Sequence, residues 1–221
     1  MSELKSLLLR FDSALERFSP GLLASLPGPV SGIDLQALEA GLDFPLPDEI
    51  RTLLDHHDGS GQHCVFAAGF PYRMLSAREM LDTHSVEVRL FEERYQERLR
   101  ERCLPNPEWV SSHPFVDWKF HPSRLTIGIT IMGDSFVWDG LPGGIGSVGQ
   151  LLEVAKYGAV GLAAGSLTEY LTALLDQVDQ GLVIWSSTDQ EPLGWRSSVD
   201  LETTDVWDLL PQYRKYGNVL G

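Results

Sequence analysis

Basic residues are scarce in this chain. Seventeen Lys and Arg stand against 31 Asp and Glu, a formal charge of −14 over 221 residues. A surface this acidic repels phosphate backbones and anionic lipid, so neither nucleic acid nor membrane is an expected partner. Cysteine is scarcer still. Cys64 and Cys103 form no C-x-x-C pair and are too few for a disulfide framework. Two idle thiols in a reducing compartment is the simplest expectation. No apolar run approaches the roughly 20 residues that span a bilayer. The start, Met-Ser-Glu-Leu-Lys, lacks a signal-peptide layout, so the expected location is cytoplasmic. A G-x-S-x-G nucleophile motif and a Walker lysine are also missing.

What is present centres on residues 125–150. Leu125, Ile127, Ile129 and Ile131 alternate with Thr126, Gly128 and Thr130, the pattern of a strand with one face on a core. Gly133-Asp134 then reads as a tight primed turn with Gly at its first central position. Ser135 to Trp138 reads as the returning strand and Ser147 to Val154 as a third. This meander is the expected centre of an antiparallel sheet. Hydrophobic residues make up 43% of the chain, enough for one sizeable core.

The flanking segments read as helices. Leu4, Leu7, Leu8, Phe11, Leu15 and Phe18 form a helical stripe, capped by Ser2 and stopped at Ser19-Pro20-Gly21. A short helix is expected from Asp34 to Ala40. Another opens at Pro47 and carries Ile50, Leu53, Leu54 and His57 inward before Asp58-Gly59. Residues 63–70 read as a strand. Capping boxes at Ser76–Glu79 and Ser166–Glu169 open two more helices. The first runs to about Arg102, whole or broken near Ser85. The second carries Leu167, Tyr170, Leu171, Leu174, Leu175 and Val178 inward and closes at Gly181. Leu182 to Trp185 reads as a strand. The tail holds a short helix over Asp205–Leu210 and the aromatics Trp195, Trp207, Tyr213 and Tyr216. The expected division is one α+β domain over 1–185 and a C-terminal extension over 186–221.

Chemistry-bearing patterns are few. Gly144-Ile-Gly146-Ser-Val-Gly149 is formally G-x-G-x-x-G, but a dinucleotide site needs it at a strand-to-helix turn. The residues after it suit a strand, so a Gly-rich hairpin loop is expected. Asp134 and Asp139 bracket a strand and read as turn residues rather than an acid–base pair. His56-His57, between Asp55 and Asp58, lacks metal-ligand spacing, and neighbours on a helix do not face one another. No catalytic, cofactor or metal site is therefore expected. Trp109, Trp118, Phe120 and Trp138 cluster around the meander's entrance, as core or as interface anchors.

The order of these landmarks resembles the SUKH superfamily, which includes yeast cell-wall-assembly regulators of the Smi and Knr type. Leu46-Pro47-Asp48-Glu49 through Asp58-Gly59 is similar to its first signature. Trp118, Pro122, Gly133-Asp134, Asp139 and Pro142 are similar to its second. Gly146-Ser-Val-Gly-Gln-Leu-Leu and Gly165-Ser-Leu-Thr-Glu-Tyr-Leu are similar to its third. The resemblance covers about residues 30–182. Arg124-Leu125-Thr126 stands where Trp-Ile-Pro is usual, segment 82–112 is longer, and the tail has no counterpart.

The resemblance implies an antiparallel sheet flanked by helices and a non-enzymatic, protein-binding role. In bacteria that role is an immunity protein neutralising a cognate polymorphic toxin, a partner that a −14 surface suits best if basic. A regulatory scaffold with an endogenous partner is the alternative. A small-ligand or nucleotide binder is a third. Trp118, Asp134, Trp138 and Asp139 are the expected partner surface, and no cofactor is expected.

Overall fold

The meander is covered on both faces, which its alternation alone does not dictate. In the computed structural model, which describes residues 2–67, 71–101, 105–116, 118–186, 194–197 and 214–218, the fold is α+β. The helices are α1 Glu3–Phe18, α2 Leu22–Ser25, α3 Gly32–Gly41, α4 Asp48–Leu54, α5 Ala77–Glu101, α6 Pro107–Ser112 and α7 Leu167–Asp179. The strands are β1 Phe66–Ala67, β2 Pro71–Met74, β3 Arg124–Ile129, β4 Ser135–Asp139, β5 Gln150–Val154, β6 Ala159–Ala164, β7 Val183–Ser186, β8 Gly194–Ser197 and β9 Arg214–Asn218. The sheet order is β1-β2-β3-β4-β5-β6-β9, antiparallel throughout, and β2 to β6 form a five-strand meander. β7 and β8 pair separately. Thus two pieces of the expected extension, β8 and β9, pair with strands before it. The expected helix at 205–210, Trp207, Tyr213 and Cys103 lie outside the described residues.

One sheet face carries the main core. Leu125, Ile127, Phe136, Trp138 and Leu151 pack there against α1, α4, α5 and α7. The stripes of α1 and α7 point inward as read, and Ser2 and Ser166 cap them. Burying such a stripe contributes about 1.5–3 kcal/mol per large apolar side chain. The other face holds Val137, Leu152, Val154 and Val160, closed by Phe115 and Trp109.

Several boundaries depart from expectation for local reasons. The β3–β4 loop has three residues, because Thr130 pairs with Asp134 across it. Gly133 is therefore the last loop residue, at φ 90°, and not the first. Helix α4 ends a turn early, at Leu54, with Pro47 as its N-cap. Helix α5 is unbroken at Ser85. Its opening box is reciprocal: Ser76 N–H donates to Glu79, and Glu79 N–H to Ser76 Oγ. Six elements were not expected: α2, β2, α6, β6, β8 and β9.

The G-x-G-x-x-G stretch is the β4–β5 connection, and Gly149 leads into a strand. Its glycines answer to packing. A methyl group at Gly143, Gly144 or Gly146 would overlap the backbone of residues 110–114. Replacing Gly146 by Ala should therefore cost about 1–3 kcal/mol or more of unfolding free energy in a guanidinium melt. Gly28→Ala, with open space around it, should stay within about 0.5 kcal/mol. Equal costs for the two would remove this packing role.

Candidate functional site: a sealed polar core, two hairpin tips and a histidine pair

Arg124, Asp139 and Gln150 stand directly opposite one another on β3, β4 and β5. All three are buried, Arg124 at 2% and Asp139 at 0% exposure. Arg124 Nε donates to Asp139 Oδ1 at 2.9 Å, and its other nitrogens donate to the carbonyls of Trp118 and Val116. Gln150 Nε2 donates to Asp139 Oδ2 at 2.8 Å and to the Pro114 carbonyl. Leu141 N–H also donates to Asp139. The network staples the backbone at Pro114, Val116 and Trp118 across three strands. It is closed to solvent, so it presents no charge to a ligand.

Helix α5 seals the open edge of β3 where short β2 ends. Leu75 N–H donates to the Ile127 carbonyl, and His84 Nδ1–H donates to the Arg124 carbonyl. Burial holds His84 below the ordinary imidazole value, in keeping with a neutral donor. Thr126 Oγ1 donates to Glu87 Oε1 at 2.8 Å. Burial raises the Glu87 carboxyl to about 7, against the opposing pull of the Thr126 hydrogen bond, Arg124 and Lys119.

The four expected partner residues divide. Trp118 is 8% exposed and Trp138 7%. Trp138 stacks on Phe44, and Trp118 packs against Phe91 and Tyr95 under the Arg98 guanidinium. Asp139 belongs to the sealed network. Only Asp134 lies near the surface, and it acts as a brace. Its Oδ2 accepts from Thr130 Oγ1 and its Oδ1 from Lys156 N–H at 2.7 Å. The β3–β4 and β5–β6 tips are thereby held side by side. Lys119 Nζ donates to the Lys156 carbonyl and secures the same corner.

Sequence reasoning missed the side chains on those tips. Ile131 is 78%, Met132 60% and Tyr157 82% exposed. The alternation had placed Ile131 in the core. The three-residue loop instead turns it outward.

Two further places bear on ligand chemistry. A groove of about 530 Å³ is lined by Glu3, Ser166, Thr168, Glu169, Thr172 and Asp176 among others, with no basic side chain among the described residues. Its carboxylates disfavour a nucleotide phosphate. The second place is the histidine pair. Because α4 stops early, His56 and His57 leave the helix and converge on Asp12 of α1. His56 Nε2 lies 2.7 Å from Asp12 Oδ2, and His57 Nε2 lies 3.2 Å from Oδ1. His57 Nδ1 meets the Pro27 carbonyl at 2.7 Å. The flanking Asp55 and Asp58 take no part, and Asp58 accepts from the first N–H of α5.

No protein-family model and no curated protein matches this chain. Among the described residues, no helix is long and apolar enough to cross a membrane.

Two outcomes follow from the sealed network. Asp139→Ala leaves the Arg124 charge buried and unpaired, so it should cost about 3–5 kcal/mol in a denaturant melt; a cost under about 1 kcal/mol would remove the network from its central place. Glu87 gives a pH signature. The folded state holds a proton that the unfolded chain releases near 4.5, so stability should fall as pH rises from about 4.5 to 7, then level. Glu87→Gln keeps an acceptor for Thr126 and should flatten that slope, gaining about 1–3 kcal/mol at pH 8. An unchanged slope in thermal melts across this range would show that Glu87 does not titrate so.

Proposed function

We propose that this chain is a non-enzymatic, cytoplasmic protein-binding domain of immunity type, neutralising a cognate toxin by stoichiometric occlusion. The observation that carries the reading is the pair of braced hairpin tips. Ile131, Met132 and Tyr157 present large apolar side chains to solvent at one corner of the sheet. Clustered, exposed apolar residues of this kind mark interaction sites. Their backbone is fixed by Asp134 and Lys119, so little ordering cost attends binding. The −14 charge adds long-range attraction to a basic partner and a salt-sensitive association rate. The SUKH-like order of landmarks supports the same role. In this reading the landmark residues hold the fold, and the tips beside them meet the partner.

A regulatory scaffold with an endogenous partner would use the same corner. The identity of the partner separates the two. Tagged full-length chain, purified from its native host at low and then high salt, should recover one neighbouring-gene product stoichiometrically. Recovery should fall about tenfold or more for Ile131→Asp with Tyr157→Ala, the loss expected of interface anchors. The variant's melting temperature should match the parent's. Undiminished recovery would move the contact elsewhere, and housekeeping assembly proteins in place of the neighbour would favour the scaffold.

A further inference from the structure

We propose that Asp12, His56 and His57 form a binding site for a divalent transition metal ion, zinc by the chemistry of its donors, which clasps α1 to the turn after α4. The inference is independent of the proposed function. It rests first on convergence. One carboxylate and two imidazoles bring a ligand atom each within 4.8 Å of one another. Two histidines and a carboxylate are a recurrent zinc set, with a fourth position left to water.

Tautomer geometry carries the inference further. The Pro27 carbonyl can only accept, so His57 Nδ1 must hold a proton. In the neutral ring Nε2 is then a lone pair, and it faces a carboxylate oxygen, also a lone pair, at 3.2 Å. Two acceptors face each other there unless a cation stands between them, either a second proton on His57 or a metal ion. A backbone carbonyl on Nδ1 is the outer-shell contact that orients metal-binding histidines through Nε2.

Spacing agrees as well. Bonds of about 2.0–2.1 Å in a tetrahedral site set neighbouring ligand atoms about 3.3 Å apart. The His57–Asp12 separation of 3.2 Å already meets this. His56 Nε2 lies 2.7 Å from the other carboxylate oxygen, Oδ2, so the His56 side chain, 23% exposed, must shift to set its Nε2 about 3.3 Å from Oδ1 and from His57 Nε2. All three side chains keep a solvent-facing edge, so an ion has an entry path.

The segments joined are 44 residues apart in sequence. The ion would therefore bind the folded chain and not the unfolded one, and would raise stability by mass action.

Full-length protein, stripped with chelator, is titrated with zinc chloride by calorimetry and followed by thermal melting. One zinc per chain is expected, with a melting temperature that climbs with zinc and falls back on adding chelator. At free zinc 100 times the dissociation constant, the folded-to-unfolded ratio should rise about 100-fold. His57→Ala should lose at least the roughly 10–100-fold in affinity that even outer-shell changes cost. His56→Gln keeps a hydrogen-bond donor toward Asp12, so it preserves the fold while removing a ligand, and should weaken zinc comparably. Cobalt substitution should give the intense visible bands of a four-coordinate site. No zinc binding by the parent, or equal binding by the parent and His56→Gln, would overturn the proposal.

Discussion

Arg124 and Asp139 form the pair on which the sheet depends. Taking two charges out of water costs several kcal/mol each, and their attraction repays this only when every remaining donor and acceptor is also met. Here the remainder is met by backbone carbonyls and the Gln150 side-chain amide. Two guanidinium nitrogens reach the carbonyls of Val116 and Trp118, and the second carboxylate oxygen takes Gln150. The pair therefore does more than bind itself. It fixes the register of β3, β4 and β5, holds the backbone of Pro114, Val116 and Trp118 against those strands through the arginine and Gln150, and seats the glycine loop over residues 110–114. Any slip of one residue would turn Arg124 to the apolar face.

That constraint separates the residues that hold the fold from those that the proposed reading gives to a partner. Trp118, Trp138 and Asp139 do the first. Their side chains are withdrawn from solvent. The tips beyond Asp134 are rigid at the base and apolar at the end, a combination suited to recognition with little rearrangement. In the proposed reading, acidity elsewhere on the surface would add steering without contact.

Much of the fold was legible because local signals agreed with tertiary demand. Ser2, Ser76 and Ser166 cap the helices they precede, and the stripes of α1 and α7 bury the residues their periodicity selects. The missed elements carry weak or short signals. β6 is Ala- and Gly-rich, with Val160 its one β-branched residue, and is held by its neighbours. α2 has four residues inside a loop rich in Pro and Gly. α6 did have a signal, Asn106 capping a helix with Pro107 at its start, hidden among other prolines. Side-chain function was less legible. Whether a tryptophan anchors a core or a partner depends on contacts such as Phe44 on Trp138, which no local pattern encodes. The approach of Asp12 to the histidines likewise needs α4 to end one turn before its stripe does.

The division between sealed sheet and presenting tips is tested most directly by hydrogen–deuterium exchange on the full chain, free and with its captured partner. The expected result is slow exchange across β3, β4 and β5 in both states, with new protection on binding confined to residues 130–134 and 155–158. New protection centred on residue 118 and residues 135–139, with the tips unchanged, would contradict it.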